Sequence, residues 1–412
     1  MSVRKRTWKT GKGLDKEAWV VDYVDQQGVR RLKTFTKKKD ADAWRASTTV
    51  SVREGTHVAD SATVTVKEAG EQWIKSGEAA GLERTTIDQY RQHLDFHVFP
   101  FLGRTRLSQL SVPAVRAFQD KLHEEGRSSA MVKRVTGSLG SLLADAQDRG
   151  VVARNAVREM ARRRPRGKAR QAERRRQARL QVGVDIPTPG EVSAILSKAE
   201  GRWRPLLVVA VYTGLRASEL RGLRWSDVDL NEGKIDVRQR ADRYNEIGMP
   251  KSDAGQRSVP IGPFVVNTLK EWKLACPPGE LAFPNGEGNV EWLPNIVRRG
   301  LAPPQLAAGI VVEKVVTDAD GKPVLGEGGK PQTELRPKYP GLHSLRHFFA
   351  SWCINRKQDG GRELPPKTVQ TLLGHSSITM TMDVYGHLFP STDDREALAV
   401  AEQRLLSAVN AT

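Results

Sequence analysis

The chain has 412 residues, too many for one ordinary domain, so two or three are expected. It carries 66 Lys+Arg against 48 Asp+Glu, a formal net charge of +18, which points to a polyanionic partner, nucleic acid before membrane. Its two cysteines, Cys276 and Cys353, form no CxxC, which argues against a disulfide framework or a cysteine zinc site, and no apolar run approaches the ~20 residues of a membrane span. The basic start, residues 1–6, has no apolar signal core behind it, so a cytoplasmic protein is expected, nucleoid-associated in a prokaryotic host.

Residues 1–58 read as a small separate unit. Residues 19–25 alternate as a strand, Gln26-Gln27-Gly28 is turn chemistry, and residues 30–35 return as a second strand. Thr36 stands where it can cap a helix running through Trp44. This unit holds 14 Lys/Arg and 7 Asp/Glu, a net of +7 (14 − 7). A small sheet backed by one helix, with a basic face, suits groove reading. The plainer alternative is a stabilising cap with solvated lysines.

Residues 65–160 read as a bundle of four or five helices. Ala69, Trp73 and Ile74 mark the first, and Thr85-Thr86-Ile87 opens the second, through Tyr90, His93 and Leu94. Pro100-Phe101-Leu102-Gly103 is expected to break the chain. Ser111-Val112-Pro113 starts the next helix, and 129–143 carries the apolar recurrence of another. Nothing here suggests catalysis; His93, His97 and His123 read as surface or packing residues.

Residues 161–184 form a basic linker. Between 161 and 179 stand ten Lys/Arg and one acid, Glu173. Arg162, Arg163, Arg164, Arg166, Lys168, Arg170, Arg174, Arg175 and Arg176 are its candidate phosphate contacts. A merely solvated, protease-sensitive linker is compatible with the same composition.

The last domain, 185–412, opens on Thr188-Pro189-Gly190-Glu191, a capping box with proline in the first turn. Residues 205–213 are nearly all apolar and read as a buried helix stopped by Gly214. Strands are expected at 233–237 and 257–261, with a turn at 250–255 between them, and Asp227 and Asp229 read as solvent-side residues. The Gly/Pro-rich stretch 303–340 reads as an elaborated loop or hairpin. Leu398, Ala401, Leu405 and Val409 make an apolar stripe on a tail helix, packed on its own domain or on a neighbour.

Four islands carry chemistry: Thr213 to Leu220 (TGLRASEL), Gly341 to His347 (GLHSLRH), Leu373-Gly374-His375 and Tyr385-Gly386-His387. They present Arg216, His343, Arg346, His375 and Tyr385, with Glu219 and His347 as supporting residues. Two arginines suit a clamp on phosphoryl oxygens, and Glu219, one helical turn past Arg216, can brace it. His343 and Arg346 share a helix face, Gly374 sets His375 at a chain reversal, and histidine can donate or accept a proton near neutrality. Tyr385 supplies an oxygen nucleophile whose free pKa, ~10, must be offset by positive charge. Such a set suits transfer of a DNA phosphodiester to tyrosine, which stores the bond and needs no ATP. No carboxylate cluster stands out as a two-metal site.

These islands, with PKSDAGQRSVP at 250–260 and LGHSSITMTMDVYGH at 373–387, resemble the tyrosine recombinases, or phage integrase family. The resemblance implies a multidomain α+β chain: an arm-type DNA-binding domain (1–58), a helical core-binding domain (65–160), the linker, and a mostly helical catalytic domain with a small antiparallel sheet (185–412). It implies that Tyr385 attacks the phosphate and joins the 3′ end, that Arg216 and Arg346 hold the phosphate, and that His343 and His375 hydrogen-bond it and assist proton transfer. Lys251 would protonate the leaving 5′ oxygen, a role that rests on the family alone. No cofactor and no metal are implied. The implied partners are double-stranded attachment sites and three further copies in a tetramer, with room for a directionality factor or a DNA-bending accessory protein. The basic N-terminal unit favours an integrase of a mobile element. A type IB topoisomerase-like nicking and closing enzyme and a non-catalytic DNA-binding regulator are the alternatives.

Overall fold

The computed structural model describes residues 1–9, 15–25, 28–53, 63–162, 179–250, 252–318, 323–326 and 329–389, with tail positions 398–399, 402–403 and 406–407. The chain divides into two compact units, residues 1–167 and 168–412.

The first unit begins with an antiparallel sheet in the order β1 (Ser2–Lys9), β2 (Asp15–Val24), β3 (Arg30–Phe35). Its first strand is not legible in the sequence. Arg4, Lys5 and Arg6 leave it no apolar alternation, and its register comes from pairing Ser2 with Asp22 and Lys9 with Asp15. The helix α1 (Lys38–Arg53) covers the sheet, with the Trp44 ring 5.1 Å from Tyr23 and 5.7 Å from Phe35. Lys33 places its ammonium 4.8 Å from the Trp44 ring, a cation–π contact.

The helical part has its own core, from Val66 and Trp73 to Leu139, Leu143 and Met160. Thr65 and Glu68 close a capping box on the helix Val66–Ala79, and Ser111 and Ser128 cap the helices Val112–Glu124 and Ser129–Asp148. The chain breaks within the expected stretch, at Gly103, and Pro100 itself is absorbed into the helix. The helix Arg84–His93 widens into a π turn at Leu94–Val98, in which the Phe99 N–H reaches back to the Leu94 carbonyl. It then continues through Phe99–Leu102. The wider turn tolerates the donor that proline lacks, and the chain turns at Gly103 instead.

In the second unit Thr188 and Glu191 form the expected capping box on the helix Pro189–Lys198. The helix Trp203–Thr213 is buried along its length, in a core shared with Ile235, Val259, Phe349 and Leu373. A three-stranded antiparallel sheet pairs Val228–Asp229 with Lys234–Val237, and that strand with Arg257–Pro260. Asp227 departs from its solvent-side reading: its side chain is buried and takes a 2.8 Å hydrogen bond from Nε of Arg224. Arginine three residues earlier makes burial of the carboxylate tolerable. The stretch 303–340 includes an antiparallel hairpin, Val311–Val315 with Thr333–Pro337. Ala401, Leu405 and Val409 of the expected tail stripe lie outside the described residues.

Candidate active site

The site begins where the helix Trp203–Thr213 stops. Gly214 takes the left-handed conformation, φ +60°, and a Cβ there would sit 2.3 Å from Cδ1 of Phe349, so no other residue fits. The turn delivers Arg216 as the cap of the short helix Ala217–Arg221. Glu219 accepts the Arg216 backbone N–H at 2.9 Å and its Nη1 at 2.7 Å, so one carboxylate fixes both the turn and the guanidinium. Nη2 of Arg216 donates to the Gly374 carbonyl at 2.8 Å.

Glu219 is buried and has a second arginine. Arg257 donates to its two oxygens at 2.8 and 3.2 Å, and also to the carbonyls of Leu372 at 2.7 Å and Gly255 at 2.9 Å. Burial opposes ionisation of Glu219, but the hydrogen bonds and charges of Arg257 and Arg216 prevail and hold its pKa below the ordinary value. Arg257 was not singled out from the sequence, although it stands in the 250–260 motif. The available signal was alternation, since Arg257 and Val259 are buried while Ser258 and Pro260 are exposed.

Arg346 lies in the helix His343–Ile354 and is only 2% exposed. It donates to the carbonyls of Gly214 at 2.6 Å and Leu373 at 2.5 Å. Both carbonyls stand at helix C-termini, where backbone acceptors lack helical partners and the dipole is negative. Burial, then the charge of Arg216, brings its pKa down to about 9, so it is a cation at neutral pH.

Gly374 ends the helix Pro366–Leu373 with φ +64°, and a Cβ there would meet Nη1 of Arg257 at 2.8 Å. Next to it His375 sets Nδ1 2.9 Å from the Thr381 hydroxyl. Tyr385 closes the helix Ile378–Tyr385 and is 2% exposed. Its ring is parallel to that of His375, with centroids 6.4 Å apart, and its hydroxyl lies 2.7 Å from Nδ1 of His347. His347 meets His343, one turn earlier, edge to face at 4.4 Å.

Charge decides what this cluster can bind. Three guanidiniums, those of Arg216, Arg257 and Arg346, face one carboxylate, a local excess of +2 (3 − 1). The histidines respond. Burial first, then nearby charge, lowers the pKa of His343, and brings His347 and His375 down to about 4. Burial pushes Tyr385 up to about 12, with Arg346 and Arg216 working the other way. Neutral imidazoles beside fixed cations leave room for an anion.

Arg216, Glu219, His343, Arg346, His347, His375 and Tyr385 are therefore brought together. Lys251 lies outside the described residues, as do Arg163, Arg164, Arg166, Lys168, Arg170, Arg174, Arg175 and Arg176; Arg162 ends the helix Ala156–Arg162 of the first unit. Among the described residues no group of three or more His, Cys, Asp or Glu is placed to hold a metal ion.

A profile of the phage integrase family matches residues 188–391, which span this whole cluster. The chain belongs to the phage integrase family of tyrosine recombinases. This recombinase is 24% identical over 382 residues to a tyrosine recombinase XerC-like protein of Caldanaerobacter subterraneus subsp. tengcongensis, covering 89% of this chain and 90% of the relative. Its fold is similar to that of a Tn1549 transposon integrase in complex with a circular intermediate DNA, with a TM-score of 0.57 at 18% identity, over 83% of this chain and 99% of the other. A lambda integrase in a tetramer bound to a Holliday junction gives a TM-score of 0.51 at 17% identity, over 90% and 96% of the two chains. The recombinase is an enzyme of site-specific DNA recombination.

Proposed function

We propose that the recombinase cuts and rejoins duplex DNA through a 3′-phosphotyrosine at Tyr385, inserting and excising a mobile element. The observation that carries this reading is the buried Tyr385 hydroxyl within a cluster whose arginines exceed its carboxylates. The Tyr385 oxygen forms a bond to phosphorus as the bond to the 5′ oxygen breaks, so one phosphodiester is exchanged for another. Arg216 and Arg346 neutralise the charge that gathers on the nonbridging oxygens. Their bonds to helix-end carbonyls hold them ready before the substrate arrives. His343 and His375 hydrogen-bond the phosphate, and Lys251 protonates the leaving oxygen, a step worth ~10²–10⁴-fold. The sheet unit at the N-terminus and the 161–184 linker hold DNA, and four copies exchange strands in pairs. The integrases of known fold that carry DNA, one of them tetrameric on a Holliday junction, support this extension. It carries a cytoplasmic, nucleoid-associated location.

The test uses nicked duplexes tiled across the DNA flanking the gene, designed so that the 5′ fragment escapes after cleavage. In EDTA, wild type is expected to form an adduct that survives SDS and is lost to protease. Tyr385→Phe is expected to form none, and Arg346→Ala to form it at least 10²-fold more slowly while still binding DNA. Equal adduct formation by Tyr385→Phe would overturn the reading.

A further inference from the structure

Tyr385 must lose a proton before or as it attacks, and its surroundings make that hard. The hydroxyl is buried, which favours the neutral phenol. Arg216 and Arg346 lower the cost of the phenolate, yet they are cations and cannot take a proton from it. His375 lies parallel to the phenol ring, and its Nδ1 is engaged with Thr381. Among the described residues one ring nitrogen stands within hydrogen-bond distance of the hydroxyl: Nδ1 of His347, at 2.7 Å. His347 sits on the same helix as His343 and Arg346, so it is held against Tyr385 by the scaffold that positions the arginines.

We propose that His347 is a catalytic residue, the base that takes the phenolic proton of Tyr385 during cleavage and returns it during rejoining. The proposal rests on Tyr385 being the nucleophile. It assigns His347 the tautomer with its proton on Nε2, which leaves Nδ1 as acceptor. During cleavage the phenolic O–H bond gives way to Nδ1–H, the tyrosine oxygen bonds to phosphorus, and the 5′ oxygen leaves with a proton from its own acid. During rejoining the incoming 5′ hydroxyl loses its proton to that same group, and the departing tyrosine oxygen recovers its proton from Nδ1. The cycle consumes nothing.

The groups facing His347 also time the transfer. They are His343 and Arg346 on its own helix, Asp185 on the segment that enters the unit, and Tyr385. In the free chain burial, His343 and Arg346 suppress the basicity of His347, and Asp185 opposes them. A phosphodiester held by Arg216 and Arg346 brings a negative charge that offsets the cations. His347 then becomes a competent base only with DNA in place, which protects the free enzyme from carrying a phenolate.

The experiment is single-turnover cleavage of the nicked duplex from pH 5.5 to 9.5, by wild type, His347→Asn and His347→Phe, with DNA binding measured alongside. Asparagine keeps an acceptor near the hydroxyl but is no base. Both variants are expected to cleave ~10²–10⁴-fold more slowly at neutral pH. Their residual rate should climb about tenfold per pH unit, because hydroxide must then remove the proton, while the wild-type rate levels off. A duplex with sulfur in place of the scissile 5′ bridging oxygen provides a leaving group that needs no acid. It should not repair the loss in either variant. A wild-type rate in His347→Asn, a loss with the wild-type pH profile, or repair by the sulfur substrate would each overturn the proposal. If Phe at this position impairs binding, the asparagine variant still decides. Failure of the nucleophile reading is separate: it appears as an adduct in Tyr385→Phe, whatever the His347 variants do.

Discussion

Two pairs of histidines in this chain have the same spacing and different surroundings. His93 and His97 lie in the helical part of the first unit, and His343 and His347 in the second unit; each pair is four residues apart. Burial is the largest cause of a lowered pKa in all four. Their company differs. His93 sets Nδ1 2.7 Å from the Ser138 hydroxyl, and Nδ1 of His97 is buried without a hydrogen-bond partner among the described residues. His343 and His347 both feel the charge of Arg346, and His347 meets the Tyr385 hydroxyl. A suppressed histidine is therefore no marker of a site by itself. What sets the second pair apart is the fixed cations and the buried phenol beside it.

The comparison breaks most sharply at Arg257, which frames the second pair without touching it. Arg257→Ala leaves the buried Glu219 with one arginine instead of two and frees the Leu372 and Gly255 carbonyls. A loss of about 3–5 kcal/mol in chemical denaturation is expected. Cleavage should fall roughly 10²-fold at temperatures where the variant is folded, because Glu219, which braces Arg216, loses its second anchor. Arg257→Lys should recover part of the stability and little of the rate, since an ammonium cannot span a carboxylate and two carbonyls. Unchanged cleavage in both variants would reduce Arg257 to packing.

Acid sharpens the contrast. All four histidines, and His375, bind a proton less readily in the folded chain than in the unfolded one. Stability is therefore complete above the unfolded value, ~6.5, and is lost as pH falls toward the folded values, about 4 for His347 and His375. Inorganic phosphate should recover part of that loss, by raising the histidines beside Arg216 and Arg346. Urea midpoints at pH 7.5 and 5.5, with and without phosphate, measure it. Arg216→Ala should weaken the phosphate effect, and His93→Gln should leave it intact. The smallest effect belongs to Ser138→Ala, which removes the His93 partner. It is expected to cost about 1 kcal/mol and leave the cleavage rate of bound complex as in wild type.

The clustering of these arginines, histidines and tyrosine was legible because they are concentrated in short runs. TGLRASEL places an arginine, a helix stop and a brace within eight residues, and the structure uses all three. Helix caps at Ser111, Thr188 and Gly374 were legible for the same local reason. What escaped depends on partners remote in sequence. The work of Arg257 exists only once its strand pairs with Lys234–Val237 and a helix more than a hundred residues on brings Leu372 beside it. The acceptors of Arg346 are backbone carbonyls, which no side-chain pattern announces. Asp227 read as solvated because aspartate before a strand usually is, and the helical run through Pro100 went unseen because a π turn leaves no mark in composition.

The stretch 303–340 closes on itself at its base. Before the hairpin, Gln305 accepts the Tyr339 backbone N–H at 2.8 Å and donates to the Tyr339 carbonyl at 2.9 Å. Beyond it, Lys338 and Tyr339 reach Glu191 at 2.6 and 2.8 Å, the residue that caps the helix Pro189–Lys198. The path into His343 is thus moored just upstream of Gly341. Past Ile310, which packs in the core, the mostly exposed strands Val311–Val315 and Thr333–Pro337 hang from this clasp, so exposed substitutions on them are expected to leave the arginine–histidine–tyrosine cluster in place.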